Sequence, residues 1–174
     1  MTKGTKSRRA SAAKRFAEIE RISIAGINER MGPVGLHVYA EVYLAAARAL
    51  PLPKVPFEPV RPYLVCHAIE LALKAFLSLR GAAMLELAEG PYAHNLDTLL
   101  QKAVENGLTA MVPLTDIQTT GISLATTYYA GKVFEYPAIG EALCAYPQLP
   151  PLEALFEAAA SLVDTLCQPC REAK

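Results

Sequence analysis

Between Pro62 and Arg80 the chain reads PYLVCHAIELALKAFLSLR, and little but a buried helix accommodates that run. Stepped at about 100° per residue, Leu64, Val65, Ile69, Leu71, Leu73, Phe76, Leu77 and Leu79 cover most of the circumference, with alanines and Cys66 between them. His67, Glu70, Lys74 and Ser78 fall on one narrow polar strip, because offsets of three, four and seven share a helix face. A helix this apolar belongs inside a bundle rather than on its surface. Pro62 suits its first turn, where the missing N–H costs nothing, and Gly81 suits its stop.

The remaining segments read as partners for that helix. Leu36, Tyr39, Tyr43, Ala46, Ala47 and Leu50 recur at offsets of three and four and predict a helix over about 36–50. Gly26, Gly32 and Gly35, with Pro33, mark a loop before it. Pro51, Pro53, Pro56, Pro59 and Pro62 predict an extended strap leading into the central helix. After Gly81, AAMLELAEGPY reads as a loop or short helical turn. Leu96, Leu99, Leu100, Ala103, Val104 and Leu108 then form an amphipathic pattern that Asn95 caps and Gly107 closes. Thr115 and Gln118 have the spacing of a capping box, opening a helix through Ile117, Gly121, Leu124 and Tyr128. Pro137, Pro147, Pro150 and Pro151 interrupt the chain, with one short turn at Ala138 to Ala145. The last helix runs from Pro151 to about Cys167, with Leu152, Leu155, Phe156, Ala159, Leu162, Val163 and Leu166 on one face. Nowhere does an alternation of period two persist. The expected fold is all-α, an up-and-down bundle of four to five helices.

A net charge of zero conceals an uneven distribution. Lys3, Lys6, Arg8, Arg9, Lys14 and Arg15 stand without an acid in the first 15 residues, leaving 11 basic against 17 acidic groups in the remainder. Residues 1–20 are therefore expected to be a mobile basic arm, with 21–174 a single domain. The charge argues against a surface generally coated in nucleic acid; only the arm is basic. No run reaches the roughly 18 apolar residues of a membrane span, and no signal-peptide core follows the basic start. The expectation is a cytoplasmic protein that does not engage a membrane. Cys66 inside an apolar helix does not suit a disulfide framework, and Cys167-Gln-Pro-Cys170, without a second pair, is neither a zinc knuckle nor a thioredoxin motif.

CHAIELALKAFLSLRG followed by AHNLDTLL resembles the HEPN domain (higher eukaryotes and prokaryotes nucleotide-binding domain). That family has a helix of the type H-x-x-E-x-x-x-K-A-x-L, matched by His67, Glu70, Lys74, Ala75 and Leu77. A loop and a His-Asn-Leu lead-in follow, matched by His94, Asn95 and Leu96. YYAGKVFEYP is similar to the family's tyrosine-rich segment, with Glu135 where an arginine would stand. The likeness spans roughly Leu36 to Leu166. It implies a bundle that commonly dimerises and members that act in RNA cleavage, toxin–antitoxin pairs and defence, often beside a nucleotidyltransferase. The expected partners are therefore a nucleic acid or nucleotide, a nucleotidyltransferase or antitoxin, and a second copy of the chain. Ribonuclease members carry a late arginine and histidine four to six residues apart. No such pair follows His94; Arg61 and His67 have the spacing, but Arg61 lies in the proline strap.

Two accounts of the strip compete. His67, Glu70 and Lys74, joined by His94, have the parts of an acid–base cluster: imidazole, orienting carboxylate and ammonium. The plainer account, and the one preferred, makes Glu70 and Lys74 an ordinary i,i+4 surface pair worth a few tenths of a kcal/mol. In it His94 only caps its helix. His67, Glu70 and His94 are also a conceivable open metal site, but no metal or cofactor is expected. The catalytic candidates are His67, Glu70, His94 and Arg61; the ligand-binding candidates are Lys74, Ser78, His94 and Asn95. The favoured function is a HEPN-like domain that binds nucleic acid, a nucleotide or a partner protein without ribonuclease activity. The alternative is a metal-independent ribonuclease toxin using His67 with Arg61 or His94, and a third account is a dimerisation module with a solvated strip. The 13 residues from Gly81 to Ala93 place His94 near the Lys74–Arg80 end, with His67 about two turns away, roughly 10 Å. Imidazoles so far apart would form a binding groove rather than a catalytic pair.

Overall fold

Glycine and proline set the ends of the central helix much as the sequence predicts. In the computed structural model, which describes residues 32–52, 58–88, 90–136 and 150–173, it spans Val60–Leu79. The Glu58 carboxylate accepts from the N–H groups of Val60 and Arg61 at its start, where unpaired amides favour an anion. Gly81 ends it with φ 89°. There the Ala82 N–H reaches back to the Leu77 carbonyl and the Gly81 N–H to that of Ser78, satisfying carbonyls that the last turn leaves open.

In chain order the helices are α1 (Pro33–Ala49), α2 (Val60–Leu79), α3 (Met84–Ala88), α4 (Leu96–Glu105), α5 (Asp116–Ala130) and α6 (Leu152–Glu172). Short 3-10 turns lie at Gly90–Tyr92 and Leu108–Ala110, and the described residues contain no strand. The fold is all-α. The chain divides into two units at Gly32, and all these helices belong to the second, Pro33–Lys174. The basic arm, most of the proline strap and the turn at Ala138 to Ala145 lie outside the described residues.

α1, α4, α5 and α6 all pack on α2, and Val65, Cys66, Ala68, Ile69, Ala72, Leu73, Ala75 and Phe76 are fully buried. By length and composition α2 is apolar enough to cross a membrane, contrary to the sequence expectation, yet 61% of its most apolar window is buried within the fold. Asn95 caps α4 by accepting from the Thr98 N–H, and Gly107, with φ 87°, follows its end. Thr115 and Gln118 form the reciprocal capping box at the start of α5. Thr115→Ala is expected to cost about 1 kcal/mol, measured as a shift in the urea midpoint at unchanged slope.

Two helices keep only part of the face the sequence suggests, Leu36 and Ala47 in α1 and Gly121 and Tyr128 in α5. α1 starts at Pro33, taking Pro33 and Gly35 out of the expected loop, and buries Leu36, His37, Ala40, Leu44 and Ala47. Tyr39 is exposed. Alanines at 40 and 47 permit a close approach that a tyrosine face would not. His37 is buried and donates from Nε2 to the Val163 carbonyl of α6 at 2.7 Å. α5 buries Gln118, Gly121, Ile122, Ala125, Tyr128 and Tyr129 and leaves Ile117 exposed, because the capping box turns Gln118 inward. α6 runs about a turn beyond the expected Cys167, through Pro169.

Candidate functional site

The polar strip of α2 is covered rather than solvated. Glu70 keeps 3% of its side chain exposed and Lys74 10%. They pair at 2.6 Å between Lys74 Nζ and Glu70 Oε1, so the account of an ordinary surface pair is corrected. α5 and the lead-in to α4 close over the strip, and charges taken from water must then find partners. The same burial takes Glu70 and Lys74, though not the imidazoles beside them, out of a solvated strip.

The other carboxylate oxygen gathers three groups. Tyr129, from the last turn of α5, donates its hydroxyl to Glu70 Oε2 at 2.5 Å. His94 Nδ1 lies 3.2 Å from that oxygen, and His67 Nδ1 lies 3.4 Å from it and 2.7 Å from the Tyr129 hydroxyl. Two imidazoles therefore reach one atom, against the separation of about two turns expected from sequence. The short α3 and the 3-10 turn at Gly90–Tyr92 carry the chain back along α2, so His94 arrives beside Glu70 rather than at the Arg80 end. Its backbone has φ 57°, a left-handed conformation that an L-residue adopts at a cost of about 1–2 kcal/mol. Strain of that kind concentrates where a side chain has to be aimed.

Aromatic rings line the exposed side. Tyr63 stacks on His67 with ring centroids 5.8 Å apart, and Tyr43 meets it edge-on at 4.4 Å. Tyr129 stands edge-to-face with His94 at 5.5 Å. His94 is 41% exposed and His67 20%, so the cluster opens to solvent through its imidazoles. Neither Nε2 atom has a hydrogen-bond partner among the described residues.

The other sequence candidates lie outside this arrangement. Arg61 Nη2 donates to the Leu50 and Pro51 carbonyls beyond the end of α1, at 2.9 and 2.6 Å. Its spacing from His67 is thus a coincidence of sequence. The Asn95 side-chain oxygen is committed to the α4 cap. Ser78 sits one turn past Lys74 with no hydrogen bond to the cluster. Among the described residues no group of three or more His, Cys, Asp or Glu side chains is placed to hold a metal ion. Cys66, Cys167 and Cys170 are free thiols. Burial pushes the Cys170 thiol up to about 11 and raises Cys66 further, so neither is poised as a thiolate. Sequence reasoning missed Tyr129, Tyr43 and Tyr63; the signal for Tyr129 was its position one residue past the face assigned to α5.

Burial alone would raise the Glu70 carboxyl, but the His67 imidazole beside it, the Lys74 charge and the hydrogen bonds from Lys74 and Tyr129 hold it well below the usual carboxylate range. Burial and the neighbouring Glu70 charge push the Tyr129 phenol well above its ordinary value, so it stays a donor. Burial, then Glu135, raises Tyr63 as well. A carboxylate lowered by folding contributes stability that is complete above its unfolded value of about 4.5 and is lost as pH falls. Unfolding free energy is therefore expected to drop below pH 4.5, and Glu70→Gln should flatten that limb relative to its own neutral-pH value. An acid limb of unchanged steepness in the variant would remove Glu70 as its source.

Comparison with family models, with curated proteins and with solved structures finds no match to this chain. The site's meaning rests on its geometry.

Proposed function

We propose that this chain is a HEPN-like, up-and-down helical domain that acts on RNA or a nucleotide at the Glu70 cluster. The observation that carries this is the convergence of His67, His94 and Tyr129 on one buried carboxylate, with neither Nε2 atom bonded to a group among the described residues. Cleaving RNA without a metal requires a proton taken from the 2′-hydroxyl and one delivered to the departing 5′-oxygen. Two imidazoles near one another, each oriented through Nδ1, supply those two groups. Their proximity favours the metal-independent ribonuclease over the binding module, and His94 over Arg61 as the partner of His67. Tyr63 and His67 offer ring faces to a base.

A binding module without ribonuclease activity is the second reading, and a specific observation favours it. The charge of Lys74 is engaged by Glu70 and Glu135 acts on Tyr63, so the described residues at the cluster offer no free cation to steady a phosphorane. Purified protein incubated with mixed RNA in a chelator separates the two. Cleavage that His67→Ala or His94→Ala abolishes supports the enzyme. Intact RNA retained by the protein leaves the binding module, and no retention leaves a dimerisation module. Sedimentation tests the homodimer that the family resemblance implies. A neighbouring coding sequence for a nucleotidyltransferase, with growth arrest on expression relieved by His67→Ala, would place the chain in a cytoplasmic toxin–antitoxin pair.

A further inference from the structure

The two imidazoles do not meet Glu70 in the same way. His94 Nδ1 contacts the carboxylate directly. His67 Nδ1 is 2.7 Å from the Tyr129 oxygen but 3.4 Å from Glu70 Oε2, beyond the usual 2.7–3.2 Å for an N–H···O bond, so its proton belongs to the shorter contact. A phenol has one proton to give, and that of Tyr129 is directed at Glu70 Oε2. Only lone pairs of the phenol oxygen remain to face His67, which must then carry its proton on Nδ1.

We propose that Tyr129 is a positioning residue: its hydroxyl bridges His67 to Glu70 and locks that imidazole in the Nδ1–H form, so that Nε2 presents a lone pair to the ligand. A carboxylate accepts only, so His94 is in the same form through its direct contact. In their neutral forms both imidazoles then present Nε2 as the working atom: one takes a proton from a ligand with one to surrender, such as a ribose hydroxyl, and the other protonates the departing 5′-oxygen from its imidazolium form, through its own Nε2. When His67 Nε2 takes that proton, the imidazolium keeps Nδ1–H on the Tyr129 oxygen and Tyr129 keeps its own proton on Glu70. Nothing is relayed; the charge is steadied in place.

This rests on the acid–base reading only for its purpose, because the tautomer is measurable with no RNA present. Long-range proton–nitrogen NMR correlation on the full-length ¹⁵N-labelled chain, followed with rising pH until the nitrogen shifts of each ring stop changing, reports which nitrogen of each histidine is protonated. His37 supplies an internal reference, since its Nε2 must donate to the Val163 carbonyl. The expected spectrum has His37 in the Nε2–H form and His67 and His94 in the Nδ1–H form. In Tyr129→Phe, His67 moves toward Nε2–H while His94 stays as it was. His67 found as Nε2–H in the unsubstituted chain, or unmoved in folded Tyr129→Phe, overturns the proposal; should that variant not fold, the unsubstituted spectrum decides. In RNA cleavage, Tyr129→Phe is expected to lower kcat about 10- to 100-fold, the size of loss seen when the orienting partner of a metal-bound imidazole is removed, with KM unchanged. It should add nothing to His67→Ala, whereas additive losses would count against the bridge.

Discussion

Glu70→Ala is expected to lower the unfolding free energy by about 3–5 kcal/mol, the cost of stranding one partner of a buried ion pair. Lys74 Nζ would be left in a site that is 90% closed to solvent, with its 2.6 Å partner gone. The Tyr129 hydroxyl would lose its acceptor at the same time. Against the 5–15 kcal/mol typical of a whole domain, that loss leaves a marginal fold. Glu70→Ala combined with Lys74→Met should recover much of it, because the second change removes the stranded amine and fills its space. Urea titration followed by far-ultraviolet circular dichroism measures both. A single-variant loss under about 1 kcal/mol would mean that water or another group reaches Lys74 freely.

The second large effect is on activity at His94. Losing a positioned acid or base typically costs about 10²–10⁴ in rate, and His94→Ala is expected to fall in that range for RNA cleavage. His94→Gly should be equally inactive but more stable than His94→Ala, since glycine occupies the left-handed region at φ 57° without penalty. The relief, about 1–2 kcal/mol, offsets much of the lost hydrogen bond to Glu70. A thermal midpoint for His94→Gly below that of His94→Ala would show that the backbone is not strained there. Cleavage retained by both variants would remove His94 from the chemistry and return the domain to a binding role.

The central helix was legible because its information is local. Apolar coverage, the stop at Gly81 and the offsets from His67 through Glu70 to Lys74 depend on neighbours along one helix. The caps at Asn95 and Thr115 were legible for the same reason. What failed was the extent of a face about an axis. Gly121 and Tyr128 of the expected α5 face are buried, but the buried stripe extends round the axis to Gln118, Ile122, Ala125 and Tyr129 and leaves Ile117 outside it, and periodicity does not fix how far round a stripe extends. Missing that extent hid Tyr129. The position of His94 failed differently: 13 connecting residues allow many return paths, and only α3 and the following 3-10 turn select the one that ends at Glu70. Reading Glu70 and Lys74 as a surface pair followed from both errors, since neither covering group had been placed.

The rings around His67 have a practical consequence. The chain contains eight tyrosines and no tryptophan, so its near-ultraviolet signal comes mainly from phenols. Tyr43, Tyr63 and Tyr129 all lie against His67. A near-ultraviolet dichroism spectrum of this protein is in large part a spectrum of the site. A ligand of the proposed kind, if it seats at the cluster, would be read out in the unlabelled chain by chromophores already standing there.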